Sequence, residues 1–322
     1  MRHIAVFCRF LTEGHHRTLE AAAGQLGFQA DFYTHFDQVP PEKLPLYEVI
    51  YGNLSPRRVR EFPHLRWLCL DSAGADKYVD ESIYPNPDVV LTNSSGAYGV
   101  TISEHILMVT LMLLRQMPVF LQAAKEHRWH AAVPIRSIYN SRITMLGTGD
   151  IGTNLARRMK ALGAASVTGV RRTDRPADPA FDRVVTYREL DGVLPETDIL
   201  ISALPHTPDT AGIISRERMA LLPSHALIVN VGRGTAVDQQ ALMDALNAGT
   251  LAGAALDVMV PEPLPADHPL WSTPNLLITP HVSGNMSLPF TCDIDVELFC
   301  RDLARFAQGQ ALSRVVDRRL GY

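Results

Sequence analysis

The sequence predicts an α/β protein of two Rossmann-like, doubly wound parallel-sheet domains. Three observations lead there. Short β-branched and apolar runs alternate with helical patterns along most of the 322 residues, which is the signature of parallel strands joined by covering helices. A glycine turn, Gly147-x-Gly149-x-x-Gly152, sits between a strand pattern and a helix pattern and so has the context of a dinucleotide-binding βα unit. That turn lies near the middle of the chain, so the front segment, with strands of its own, needs its own core.

The bulk properties narrow the class. With 46% hydrophobic and 20% charged residues the chain is ordinary for a globular protein. A formal net charge of −4, mixed along the sequence, leaves no basic surface for nucleic acid or membrane. Cys8, Cys69, Cys292 and Cys300 show no C-x-x-C spacing, so they read as free thiols of a reducing, cytoplasmic protein, and no metal site is expected. "MRHIAVFCRF" is too short and too charged for a signal peptide and reads as a first strand. The apolar run from His105, "HILMVTLMLLRQM", is below spanning length and contains Arg115.

The expected strands follow in order: 4–7, 48–52, 66–71, 89–93, 142–147, 166–170, 198–204, 226–232, 254–258 and 276–279. Helices are expected at 101–116, at "DIGTNLARRMKALG" and at "DQQALMDALNAG". In the last stretch, "CDIDVELFCRDLARFAQG", Ile294, Leu298, Leu303 and Phe306 fall near helical spacing. That helix must cover some apolar face, which periodicity alone does not locate.

In the glycine turn, Gly147 permits the tight bend, Gly149 lets backbone approach a pyrophosphate, and Gly152 allows helix to pack on strand. The free amides and positive dipole of the following helix face the phosphates. NAD-specific sites place an acid at the end of the next strand, about 20 residues on. Here Val170 is followed by Arg171, Arg172 and Thr173. Guanidinium groups bind a 2′-phosphate that a carboxylate would repel, so NADP is favoured over NAD. The basic stretch continues through Asp174 to Arg175, and Asp174 is an alternative acceptor for a ribose hydroxyl.

Three further stretches carry chemistry: "VNVGRGTAVD" at 229–238, "ALDVMVPEPLP" at 255–265 and "ITPHVSG" at 278–284. Each begins near the end of an expected strand, and parallel sheets bind ligands at their carboxyl edge, so Arg233, Glu262 and His281 converge on one crevice. Their types suit reduction of a keto acid. An arginine binds a carboxylate and polarises the adjacent carbonyl. A histidine gives a proton to the developing alkoxide as hydride arrives, and a glutamate bonded to that histidine fixes its tautomer.

Together with the glycine turn, these stretches resemble the D-isomer-specific 2-hydroxyacid dehydrogenases. The resemblance covers nearly the whole chain and includes "LRWLCLDSAGAD", "GVTISEHIL", "LPHTPDTAGII" and "ARFAQGQALSRVVD". It implies a reductase of small 2-keto acids to D-2-hydroxy acids, with Arg233 the substrate-binding arginine, Glu262 the paired acid and His281 the proton donor. It implies that the amides of Ala73, Gly74 and Ala75 hold the substrate carboxylate, and that Asn53 lies on the other substrate-facing loop. For the cofactor it implies Asp150 and Ile151 at the pyrophosphate, Leu204, Pro205 and Thr210 on the adenosine side, and Val231, Gly232, Asp257 and Gly284 near the nicotinamide. Asp257 resembles the residue that binds the carboxamide.

The same resemblance implies a discontinuous substrate domain, 1–99 with 285–322, around a dinucleotide-binding domain at 100–284. The helix near 101–117 and the arm "FLQAAKEHRWHAAV" resemble the elements through which members form homodimers. "RRT" in place of an acid resembles the NADP-using glyoxylate/hydroxypyruvate reductase branch. His206 departs from the family's apolar or small residue, and its role is open. A dinucleotide-responsive corepressor of the same fold is the alternative reading. A formate-type dehydrogenase is disfavoured because such members lack the glutamate found here at 262.

Overall fold

The computed structural model describes residues 1–130, 132–174, 176 and 178–322. It divides into two compact units, Met1–Tyr98 with Asn285–Tyr322, and Gly99–Gly284.

The first unit opens with β1 (Arg2–Val6), α1 (Glu13–Gln25), β2 (Phe28–Phe32), β3 (Tyr47–Tyr51), α2 (Pro56–Val59), β4 (Trp67–Cys69) and β5 (Val90–Thr92). All strand pairs are parallel, in the order β2-β1-β3-β4-β5, a doubly wound arrangement. The start of α1 is set locally. Thr12 Oγ1 accepts from the His15 amide, and the His15 ring accepts from the Thr12 amide, a reciprocal cap. Alternate strand residues feed two cores, one with Ala5, Ile50 and Leu68, the other with Ile4, Val6, Val49, Tyr51 and Trp67.

The second unit contains α3 (Gly99–Leu114), α4 (Met117–Lys125), β6 (Arg142–Leu146), α5 (Asp150–Ala161), β7 (Ser166–Arg171), β8 (Arg183–Thr186) and α6 (Leu190–Val193). It continues through β9 (Ile199–Ser202), α7 (Arg216–Leu221), β10 (Leu227–Asn230), α8 (Gln239–Asn247), β11 (Gly253–Leu256) and β12 (Leu276–Ile278). Its seven strands run parallel in the order β12-β11-β10-β9-β6-β7-β8. β6 pairs with β7 on one side and β9 on the other, so the winding reverses there. In such sheets the ligand crevice lies beyond the carboxyl ends of the strands at that reversal. No single helix among the described residues is long and apolar enough to cross a membrane.

The chain then returns to the first unit as α9 (Pro289–Ala307). Phe299 stacks on Tyr51 and Trp67, with ring centroids 4.1 and 5.1 Å apart. Truncating so buried a ring costs about 3–5 kcal/mol.

The stripe expected from helical spacing needs correcting. Of Ile294, Leu298, Leu303 and Phe306, only Leu303 is fully buried. The covered face is Thr291, Cys292, Asp295, Val296, Phe299, Asp302 and Leu303. Two acids sit on that face because each is partnered: Asp295 by the Tyr51 and Ser94 hydroxyls, Asp302 by Ser313 and Arg314. Two strands were also not expected, β2 and β8. Both are outermost in their sheets and mix polar with apolar residues, so they lack the apolar runs that mark the central strands.

Candidate active site

In the second unit, the glycine turn, the basic stretch and the three stretches singled out for their chemistry all follow the carboxyl end of a strand in the seven-stranded sheet. The glycine turn follows β6, Leu204–Thr210 follow β9, Arg233 follows β10, Glu262 follows β11 and His281 follows β12. Because all seven strands are parallel, these segments share one edge of the sheet.

The turn after β6 is built as its glycines require. Gly147 has φ +104°, a conformation that disfavours any side chain. A Cβ at Gly152 would overlap the Gly147 carbonyl, so the helix reaches the strand only without one. A Cβ at Gly149 would meet nothing within 4 Å, which leaves open space before the first turn of α5. The unspent amides of that turn, from Asp150 and Ile151 onward, point into it. Asp150 turns its side chain elsewhere: the carboxylate accepts from Asn154 Nδ2 at 2.9 Å and from the Gly99 amide at the start of α3. Burial pushes its carboxyl up.

At the end of β7 the two arginines differ. Arg171 is buried, its Nη1 donates to the Pro176 carbonyl at 3.2 Å, and its buried Nε has no partner. Arg172 and Thr173 are exposed. Arg175, the last residue of the basic stretch, lies outside the described residues. An exposed guanidinium beside a buried guanidinium with an orphaned donor fits an anionic group at this corner. With the open space before α5, these residues fit a phosphorylated dinucleotide.

Leu204, Val231 and Gly232 are buried at the edge, and a Cβ on Gly232 would crowd the Leu204 backbone. Thr210 is turned inward, its hydroxyl bonding the Pro205 carbonyl at 2.7 Å. His206 is exposed and pairs through Nδ1 with Thr235 Oγ1 at 2.8 Å.

Glu262 and His281 meet. His281 Nδ1 lies 2.8 Å from Glu262 Oε2, and the other oxygen, Oε1, accepts from the Met259 amide at 2.9 Å. With Nδ1 committed, Nε2 is the nitrogen left to exchange a proton with a ligand. Arg233 joins the pair through the backbone: Asn230 Nδ2 donates to its carbonyl at 2.9 Å, and the absence of a side chain at Gly234 lets Met259 pack directly against this loop. The Arg233 loop, the Glu262 hairpin and His281 are therefore one contiguous construction.

Asp257, fully buried, ties His281 down. Its Oδ1 accepts from Thr279 Oγ1 at 2.6 Å and from the Val282 amide at 2.9 Å, and its Oδ2 accepts from the Ser283 amide at 2.9 Å. Burial pushes this carboxyl up, but the bonds from Ser283, Thr279 and Val282 outweigh it and hold it below the usual range. His105, on α3, reaches Thr279 Oγ1 at 3.2 Å, and burial pushes its imidazole down. Gly284 closes this segment. Sequence reasoning singled out Asp257 for the nicotinamide but missed its bonds to the His281 segment and the Met259 amide, since main-chain donors leave no mark in the sequence.

In the first unit, Ala73, Gly74 and Ala75 follow β4 in a loop pinned by Asn93 Nδ2 to the Ala73 carbonyl at 2.7 Å. Asn53 follows β3, exposed, and Ser72 Oγ lies 3.3 Å from its Oδ1. These two loops are therefore neighbours.

A doubly wound dinucleotide-binding sheet, with an acid–histidine pair and an arginine at its carboxyl edge, defines a nicotinamide-dependent oxidoreductase. The model of the D-isomer specific 2-hydroxyacid dehydrogenase NAD-binding domain matches residues 107–283, and the chain belongs to that family. It is 30% identical to glyoxylate/hydroxypyruvate reductase B of Pectobacterium carotovorum over 238 residues, 72% of this chain and 73% of that one. Among solved structures it is similar to a D-isomer specific 2-hydroxyacid dehydrogenase family protein from Aeromonas salmonicida, at 30% identity and TM-score 0.86, covering 98% and 99% of the two chains. It is also similar to an NADPH-dependent glyoxylate/hydroxypyruvate reductase from Sinorhizobium meliloti, solved with NADP and sulfate, at 26% identity and TM-score 0.82 over 100% of each chain. The protein is thus an NAD(P)-dependent D-2-hydroxyacid dehydrogenase, and a binding-only role as a corepressor is set aside.

Proposed function

We propose that this protein reduces small 2-keto acids to D-2-hydroxy acids, preferring NADPH to NADH. The observation that carries the reading is the His281–Glu262 contact, fastened by the Met259 amide beside the Arg233 loop. Arg233 binds the substrate carboxylate and polarises the adjacent carbonyl. In the first unit, the amides of Ala73, Gly74 and Ala75 are the carboxylate-binding groups, and Asn53 lies on the substrate-facing loop. The dinucleotide, when bound, supplies the hydride to the carbonyl carbon. His281 Nε2 gives its proton to the carbonyl oxygen, completing the hydroxyl, while Glu262 keeps the ring oriented and stabilises its charged form.

For the cofactor, the α5 amides at Asp150 and Ile151 and the backbone at Gly147, Gly149 and Gly152 take the pyrophosphate. Arg172, Thr173 and the orphaned donor of Arg171 take the 2′-phosphate. Leu204, Pro205 and Thr210 flank the adenosine, and Val231, Gly232, Asp257 and Gly284 border the nicotinamide. The relative named with NADPH supports this preference, as does the run Arg171-Arg172-Thr173 where NAD-specific sites place an acid.

The test is initial-rate oxidation of NADPH and NADH against glyoxylate, hydroxypyruvate, phenylpyruvate and branched 2-keto acids. Turnover with NADPH favoured supports the reading; turnover favouring NADH removes the role given to Arg171, Arg172 and Thr173. We further propose a cytoplasmic homodimer. Its supports are the free cysteines and the exposed apolar side chains Met108, Leu111, Met117 and Leu121 on α3 and α4. The arm after α4 spans Ala131, which lies outside the described residues. Sedimentation of the wild type against Leu111→Glu checks the dimer.

A further inference from the structure

The first unit carries a second set of acids that the hydride-transfer chemistry leaves unused. Strands β1, β3, β4 and β5 end in register: Val6 pairs with Tyr51, Tyr51 with Cys69, and Cys69 with Thr92. Two residues beyond those ends stand Cys8, Asn53, Asp71 and Ser94, level with one another at the carboxyl edge of the sheet. The Asp71 carboxyl takes hydrogen bonds from the Cys8 thiol and the Asn53 amide, and its own carbonyl accepts from the Tyr98 hydroxyl. Across from it, fully buried Asp295 of α9 accepts from Tyr51 at 2.7 Å and from Ser94.

We propose that Asp71 is a positioning residue for the substrate carboxylate, joining the Asn53 loop to the 72–75 loop, and that its ionisation weakens the binding of anionic 2-keto acids. The proposal rests on the reading of Ala73, Gly74 and Ala75 as carboxylate-binding. Asp71 immediately precedes that loop, so a negative charge there opposes the substrate's own.

Burial and the Asp295 carboxyl push Asp71 up to about 6, and burial pushes Asp295 up as well. The other groups around the two acids keep one charge state across that range. Burial pushes the thiols of Cys8, Cys69 and Cys292 up, and likewise the phenols of Tyr51, Tyr78 and Tyr98. Arg314 pairs with Asp302 at 2.9 Å. A group raised to about 6 is neutral below that pH and anionic above it.

The experiment compares KM for glyoxylate in the wild type and Asp71→Asn from pH 5 to 8 at saturating NADPH. Effects of pH on groups other than Asp71 are common to both and cancel in their ratio. The wild-type KM is expected to rise about tenfold relative to Asp71→Asn across this range, the size of one ionic contact near a surface. At pH 8 the variant then binds substrate more tightly than the wild type, which structural damage would not produce. Asp295→Asn removes the charge that raises Asp71, so the rise should move to lower pH. A flat ratio, or an unmoved rise in Asp295→Asn, overturns the proposal. Methyl glyoxylate, the uncharged ester, separates the two readings. If the wild type turns it over as efficiently as glyoxylate, the carboxylate role of residues 73–75 fails, and the proposal with it. If the acid is strongly preferred and the ratio is flat, only the role of Asp71 fails.

Discussion

Gly234→Ala tests whether the arginine loop and the acid–histidine pair work as one construction. A Cβ at Gly234 would stand 2.5 Å from Met259 Cα and overlap the Met259 carbonyl, where ordinary contact begins near 3.4 Å. No flexible side chain can swing aside, because every obstructing atom is backbone. The loop and the hairpin must therefore part by about 1 Å, at an overpacking cost of about 1–3 kcal/mol. Met259 donates to Glu262 at 2.9 Å, and Glu262 bonds His281 at 2.8 Å, so the shift passes straight to His281. A displacement of this size costs about 100-fold in rate. The assay is kcat with saturating NADPH and keto acid, alongside a thermal melt showing the variant folded. Gly249→Ala is the control. Gly249 has φ +69° with nothing within 4 Å, so the variant loses about 1 kcal/mol of stability to backbone strain but keeps its turnover. If folded Gly234→Ala turns over within twofold of the wild type, the contiguous-site argument is wrong.

Other outcomes follow from the same geometry. His281→Ala should lower kcat by about 10²–10⁴ with NADPH affinity, read by fluorescence titration, unchanged; unaltered turnover would remove His281 as proton donor. Arg172→Ala should raise the KM for NADPH about tenfold while leaving that for NADH in place, since only the former carries a 2′-phosphate; equal effects on both would refute the assignment. Asp198 offers an acid-stability test. Burial pushes its carboxyl up, but bonds from Arg142 and His225 prevail and hold it at about 2 against an ordinary 3.8. The contribution, about 2 kcal/mol, is fully present above pH 3.8 and is lost as pH falls towards 2. Asp198→Asn should melt lower than the wild type at pH 7 and converge with it near pH 2 in chemical denaturation.

The central strands were legible because strands buried on both faces must be apolar runs, as "RITML" and "LIVN" are. β2, "FQADF", and β8, "RVVT", were not legible because an edge strand needs few apolar residues to hold its place. The α9 stripe was misjudged because apolar letters stood in for buried positions. Asp295 and Asp302 are completely covered, and their partners come from β3, from beyond β5 and from the C-terminal segment, none of which periodicity can reveal. Among the candidate site residues, the contact of Glu262 with His281 bridges 19 positions. It was approachable from sequence only because both stretches follow strands that proved to be neighbours. The direction of the Asp150 side chain, away from the α5 amides and towards Gly99, depends on α3 lying beside α5 and leaves no local trace.

His281 itself shows what the surrounding structure has to supply. Its φ of +54° is a left-handed conformation, which costs a non-glycine residue about 1 kcal/mol or more and persists only where its surroundings over-determine it. The constraint is visible: the His281 amide donates to the Asp257 carbonyl at 2.8 Å, and the two following amides donate to the Asp257 carboxylate. One buried aspartate thus grips the main chain on both sides of the ring, while Glu262 fixes the ring itself. A carboxylate held below its usual range by these donors keeps its charge at neutral pH, so the grip on this segment does not loosen there. The backbone strain is therefore offset by a buried carboxylate that does not itself touch the ring, so the imidazole is held in place by its main chain and by Glu262 independently.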